Sequence, residues 1–171
     1  MSAALAPPFV VAALLLCVAG TLKLGAPGPA AGALRTLGLP ARAWMVRALA
    51  AGEVALGIAC AVQPARATAA VLAGTYATFA GVAAVLARER ASCGCFGDRD
   101  LPATSSHAIA SAALAAVSAA AAIAGPRGLG WVLGRPAVTV VVLAAGIAGA
   151  LYATVLVYTK LPAAWAAWSG E

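Results

Sequence analysis

The sequence predicts an all-α protein: a polytopic membrane bundle of about five transmembrane helices, read as one integral membrane domain over residues 1–171. Composition is the first reason. Hydrophobic residues make up 64% of the chain and charged residues 9%, with a mean hydropathy of +0.98, whereas a soluble domain carries roughly 25% charged residues. Run length is the second. A helix needs about 20 largely apolar residues to cross the hydrocarbon, within a range of roughly 17 to 25, and five runs reach that length. The third is the make-up of those runs, which are dominated by Ala, Val, Leu and Gly. In lipid, small side chains let helix backbones approach closely, and that packing drives association.

The first run is Pro8 to Leu24, entered through Pro7-Pro8. Proline suits a helix start because the N–H it lacks has no intrahelical partner there. A Gly/Pro-rich connection from Gly25 to Pro40 follows and carries Arg35. The second run spans Trp44 to Val62. Gln63-Pro64 makes a tight turn, so the third run, Arg66 to Ala87, is expected to lie antiparallel and packed against the second. A charged loop ending at Leu101-Pro102 separates it from the fourth run, which opens at Thr104-Ser105-Ser106 with hydroxyls suited to an N-cap and ends at Ala124. Gly125-Pro126-Arg127-Gly128 breaks that run. The fifth helix occupies about 136–160, its apolar part running from Pro136 to Tyr158, with Lys160, Trp165 and Trp168 behind it as interfacial anchors. Gly74, Gly81, and Gly146 with Ala150 are the expected points of close helix contact. Met1 to Phe9 carries no Lys or Arg, so the basic start of a secretory signal is missing and the first run reads as a retained span.

Five spans place the Gly25–Pro40 connection, the charged loop and the C-terminal tail on one face. Lys23, Arg35, Arg42, Arg47, Arg88, Arg90, Arg99 and Lys160 fall toward that face, and Arg66, Arg127 and Arg135 toward the other. The net charge of +6 therefore reads as orientation and contact with anionic membrane lipid. Aromatics at 6% and the lack of a long basic run argue against a nucleic-acid partner. Basic residues mark the cytoplasm, whereas stable disulfides belong outside it. The two rules oppose each other for the loop, so its side is left open and only the shared compartment is predicted.

Chemistry concentrates in that loop, Arg88-Glu89-Arg90-Ala91-Ser92-Cys93-Gly94-Cys95-Phe96-Gly97-Asp98-Arg99-Asp100. Cys93 and Cys95 flank one glycine. A disulfide spans about 4.4–6.8 Å between Cα atoms, which residues two apart reach only if the backbone between them bends, and Gly94 permits the bend. The small ring would be strained, and strained disulfides are the labile, oxidising ones. Arg88, Arg90 and Arg99 would favour thiolate over thiol and so raise reactivity. The rival reading is a pair that only shapes the loop. A metal alternative joins Cys93 and Cys95 to His107; a structural zinc site, however, needs four ligands at wider Cys spacing, which leaves a soft ion such as copper(I).

Glu53 is the other feature, a carboxylate near the middle of the second run. Such groups are costly in lipid and mark function by default. Its expected partner is Lys23, with Arg47 second, the alternative being a protonated Glu53 bonded to a neighbouring helix. Cys17 and Cys60 read as packing residues, and Tyr76, Phe79, Tyr152 and Tyr158 as packing or interfacial aromatics.

Lys23, Glu53, Phe79, Arg88 and above all Ser92-Cys93-Gly94-Cys95-Phe96-Gly97 resemble the methylamine utilisation protein MauE family, part of the wider DoxX-like membrane proteins. The resemblance covers about 10–125, a four-helix core, and leaves the fifth helix outside. It implies a multi-pass protein of the cell's inner (plasma) membrane with a thiol-disulfide role, in which Cys93 and Cys95 react and Lys23, Glu53, Arg88, Gly94, Phe96 and Gly97 support them. It implies a thioredoxin-like, MauD-like partner and a disulfide-bearing client such as the methylamine dehydrogenase small subunit. It also implies a distant likeness to the quinone-reducing oxidoreductases DsbB and vitamin K epoxide reductase. Those use CxxC pairs, which this chain lacks, so quinone is the one cofactor raised and none is required. Two further function classes stand beside the relay: a copper-handling membrane protein, and a docking subunit without redox chemistry.

Overall fold

The computed structural model describes residues 2–89, 91–92, 94, 103–161 and 164. Among them are seven helices: α1 (Ser2–Gly25), α2 (Pro27–Thr36), α3 (Ala43–Val62), α4 (Arg66–Arg88), α5 (Ser105–Ala124), α6 (Leu129–Leu133) and α7 (Ala137–Thr159). Five of these, α1, α3, α4, α5 and α7, are long and apolar enough to cross a membrane. The expected all-α membrane bundle is the observed one, with span boundaries within two residues of the expected ones except at the start of the first.

Three local readings change. α1 begins at Ser2, so Pro7 and Pro8 lie inside it and do not start it. The two N–H groups they lack would have bonded Ala3 O and Ala4 O, so the loss falls on carbonyls of the first turn of α1. The Gly25–Pro40 connection contains a helix. Pro27 and Pro29 both sit in the first turn of α2, where no N–H is needed. Its end is equally well defined: Gly38 at φ +73 donates its N–H to Arg35 O at 2.9 Å, and Leu39 donates to Leu34 O at 3.0 Å. Both orphan carbonyls are satisfied by this glycine-terminated pattern. Finally, α6 is a short turn of helix where only a connection was expected.

α1 is the hub. Phe9 to Ala13 are buried consecutively, on every side of the helix, as an element apolar all round requires. One side of α1 packs Phe9, Ala12, Ala13 and Leu16 with Cys60 and Ala61 of α3, Ala69, Leu72 and Tyr76 of α4, and Ala121 of α5. Val10 and Val11 meet Val132 of α6 and Ile147 of α7. α1 pairs most extensively with α3, and α4 with α5, whereas the sequential helices α3 and α4 touch little. α7 lies at the periphery: only 6% of its most apolar window is buried, against 56% for α1.

Close approach occurs at Gly20 and Gly57, not at Gly74, Gly81 or Gly146, whose missing Cβ atoms would meet nothing within 4 Å. A Cβ on Gly20 would lie 2.9 Å from Ala50 O, and one on Gly57 would lie 2.6 Å from Ala13 O. α1 and α3 are thus pressed backbone to backbone at two levels about two turns apart, which only glycine allows. Gly57→Val is expected to destabilise the detergent-solubilised protein by about 1–3 kcal/mol through overpacking. Gly74→Ala should be neutral or stabilising, by up to about 1 kcal/mol. Thermal unfolding of the two purified variants checks both values.

Candidate functional site

The site is assembled from two levels of the bundle. Deeper down, Lys23 in the last turn of α1 faces Glu53 in the middle of α3. Side chains tilt toward the N-terminus of their own helix. For Lys23 that direction is inward, and for the antiparallel α3 it carries Glu53 toward the end of the bundle where Lys23 starts. The two meet: Lys23 Nζ donates to Glu53 Oε1 and Oε2 at 2.7 Å each, with side chains only 7% and 3% exposed. Glu53 therefore has the partner expected first. Arg47 instead donates from Nε to Leu24 O at 3.4 Å.

Phe79 of α4 completes this level. Lys23 Nζ sits 4.7 Å from its ring centroid, within range of a favourable cation–π contact. Tyr76, one turn earlier, packs its ring edge-on to Phe79 at 6.0 Å and 89°, and its hydroxyl donates to Ala12 O of α1 at 2.7 Å. Three helices are locked through one ammonium and one phenol. The phenol's role was hidden in the sequence, where Tyr76 looks like any packing aromatic. Beside this cluster, the gap between α3 and α4 forms a lateral groove of about 450 Å³, lined by Ala48, Leu49, Gly52, Glu53 and Leu56 on one side and Thr75, Thr78 and Phe79 on the other.

At the mouth of the bundle lies the base of the charged loop. Ala91 donates to Leu86 O at 3.0 Å as α4 ends, and accepts from Ala103 N at 2.8 Å just before α5 starts. Ala103 and Leu86 are buried with Ala33 of α2. The two ends of the loop are thereby held together and covered by α2. Within it, Gly94 is buried at φ +62, against the backbone of α2, and a Cβ there would stand 2.5 Å from Pro29 C and 2.6 Å from Ala30 N. Glycine is required twice over, by dihedral and by space. Arg88, at the last residue of α4, is exposed. Cys93, Cys95, Phe96, Gly97, Arg90 and Arg99 lie outside the described residues.

His107 follows at the first turn of α5. Thr104 is the N-cap of α5, as expected, and the histidine ring joins the cap: Thr104 N donates to Nδ1 at 3.1 Å, and the Thr104 hydroxyl lies 2.9 Å from the same nitrogen. Nδ1 is therefore an acceptor, so in the neutral ring Nε2 carries the proton and donates to Tyr158 O of α7 at 2.9 Å. Ser111 and Tyr158 share a hydroxyl–hydroxyl bond of 2.8 Å alongside. Both ring nitrogens are engaged, and metal binding by His107 would have to break one of these bonds. The ring instead staples α7 to α5. Cys17 and Cys60 are free thiols directed at Val54 O and Thr68 O, consistent with packing roles.

Comparison with known protein families gives a match to Methylamine utilisation protein MauE over residues 1–125. The chain belongs to the MauE family. The match ends just after α5, so α1 to α5 form the MauE part, and α6 and α7 lie beyond it. No curated protein and no solved structure matches the chain. Family membership and the five apolar helices make this MauE-family chain a multi-pass membrane protein.

The buried pair at its centre yields a test. Lys23→Met and Glu53→Gln should each cost about 3–5 kcal/mol, because each strands a partner in an apolar interior. The double variant should recover much of that loss. Denaturation of the purified single and double variants measures the coupling, and strictly additive losses would show that the two groups act independently.

Proposed function

We propose that this protein is a membrane thiol-disulfide relay acting in the maturation of a disulfide-bearing client, with Cys93 and Cys95 as the reacting pair. The observation that carries the reading is the seat of Gly94. The residue joined covalently to both cysteines is clamped on α2 in a left-handed conformation at the mouth of the bundle. A pair of sulfurs flanking such a point is attached to a rigid platform while remaining on a loop whose ends are tied together at Ala91 and Ala103.

The exchange balances without a cofactor. A thiolate of one cysteine attacks a sulfur of the partner's disulfide, and the partner's other sulfur leaves as thiolate. The second cysteine then attacks the mixed disulfide, closing a Cys93–Cys95 disulfide and leaving the partner with two thiols; the reverse sequence oxidises the partner. Arg88, with Arg90 and Arg99, favours the thiolate forms electrostatically. Gly94 gives the loop its bend, Phe96 and Gly97 are supporting residues by family resemblance, and Lys23 and Glu53 hold α1 against α3 below. The partner is a thioredoxin-like protein, the setting the plasma membrane, and a client of the methylamine dehydrogenase small-subunit type fits the family's name.

Labelling with a thiol-specific reagent before and after reduction should show Cys93 and Cys95 blocked in the oxidised protein and open after reduction. Cys93→Ser and Cys95→Ser should each abolish client maturation while leaving membrane insertion intact. Full maturation by both serine variants would overturn the relay.

A further inference from the structure

Between α2 and the loop base lies a cleft of about 390 Å³, lined by Gly28, Pro29, Gly32, Ala33, Arg35, Thr36 and Ser92. We propose that this cleft is the docking groove for an extended, acidic polypeptide segment of a protein partner. The proposal rests on the relay reading for who that partner is, and on the groove itself for the chemistry of the segment.

Shape argues for a polypeptide chain. The ten residues of α2 make a wall about 15 Å long at 1.5 Å per residue, matched by roughly four or five extended residues at about 3.3 Å each. Gly28 and Gly32 stand one helical turn apart and leave two bare positions on that wall, between the side chains of Pro29, Ala33, Arg35 and Thr36. Nothing lies within 4 Å of where a Cβ on Gly32 would be. The far wall carries Ser92, two residues before the clamped Gly94, so a segment lying in the groove runs beside the chain that bears both sulfurs.

Charge argues for acidity. Arg35 is exposed on the lip of the groove, and no described carboxylate pairs with it. Arg42, Arg47 and Arg88 are also exposed at this end of the bundle, where Glu89 is the one described acidic residue on the surface. Complementary charge of this kind steers encounter and fixes register. A phosphate-bearing lipid headgroup is the competing occupant. It is disfavoured because one arginine lines the cleft, whereas a cytoplasmic or external lipid site gathers several basic groups.

The experiment uses full-length protein in nanodiscs of neutral lipid and fluorescent nine-residue peptides, one rich in Asp and Glu, one neutral and one rich in Lys. Saturable binding of the acidic peptide alone is expected. A Cβ on Gly32 meets nothing within 4 Å, so Gly32→Trp should be accommodated at its base, abolish that binding by occupying the groove, and leave thermal stability no lower than wild type. Arg35→Glu should weaken it by roughly threefold, the scale of one exposed charge pair, and Arg42→Glu, outside the groove, should change it little. Equal loss from Arg35→Glu and Arg42→Glu would reveal diffuse attraction and overturn the proposal, as would tight acidic-peptide binding by Gly32→Trp. Displacement of the acidic peptide by soluble glycerol phosphate, at constant ionic strength in the neutral nanodiscs, would assign the cleft to a phosphate headgroup and overturn it too. Reaction of the pre-reduced wild type with a small aromatic disulfide reports on the relay separately: it should survive Gly32→Trp, and its absence in the reduced wild type would strike the relay while leaving the peptide result standing.

Discussion

An ammonium and a carboxylate buried together in an apolar bundle constrain everything around them. Each would be prohibitively costly there alone, and together they are stable only if the geometry is kept. Lys23 and Glu53 keep it at 2.7 Å to both carboxylate oxygens, and the backbone contact that brings their helices together is provided by Gly20, three residues before the lysine. A larger residue at Gly20 would push α3 away by contact with Ala50 and Val54. Phe79 then accepts the ammonium on its ring face, which ties α4 to the same point.

This arrangement explains how the bundle is both packed and open. α1 and α3 are held by glycine contacts and the ion pair, and α4 and α5 by their long mutual interface. α4 is connected back to α1 through the apolar cluster of Ala69, Leu72 and Tyr76 on Phe9, Ala12, Ala13 and Leu16, with two polar contacts added to it: the ammonium over Phe79 and the Tyr76 hydroxyl on Ala12 O. The seam between α3 and α4 is left unfilled and becomes the lateral groove. At the mouth, α2 covers the loop base and clamps Gly94, so the short helix does for the loop what the ion pair does for the spans. α7 joins through Ile147 packed on Val10 and Val11 of α1 and, near its C-terminal end, through a histidine and two hydroxyls. Arg127 and Arg135, on the opposite face, lie 5.5 Å and 4.1 Å from the Trp131 ring centroid beside α7's start.

Much of the fold was legible because spanning lipid leaves few solutions. A chain this apolar has to satisfy its backbone internally, and long apolar runs do so only as helices. The Lys23–Glu53 pairing was legible for a related reason: two opposite charges in an apolar setting have little choice of partner. α2 was harder to see. Its Pro-Gly-Pro opening and its glycine stop look like loop punctuation, and only position in the first turn and at the C-terminal cap turns them into helix signals. The close-contact glycines were also misassigned, since Gly74 and Gly81 are as small as Gly20 and Gly57 and differ in what faces them. His107 and Tyr158, far apart in sequence, gave no sign of belonging together.

Hydrophobicity and run length, which are properties of residues taken one segment at a time, were enough to determine the number of spans, their limits and the presence of a charged, cysteine-bearing loop between two of them. Which span is central was decided only by packing. α1 and α7 are almost equally apolar, with mean hydropathies of 2.2 and 2.4 in their best windows, yet one is the hub and the other the rim. Lipid and protein interior both accept an apolar side chain, so hydrophobicity cannot distinguish them. Shape can, and the small residues that let α3 press against α1 act only once a second backbone is present to meet them.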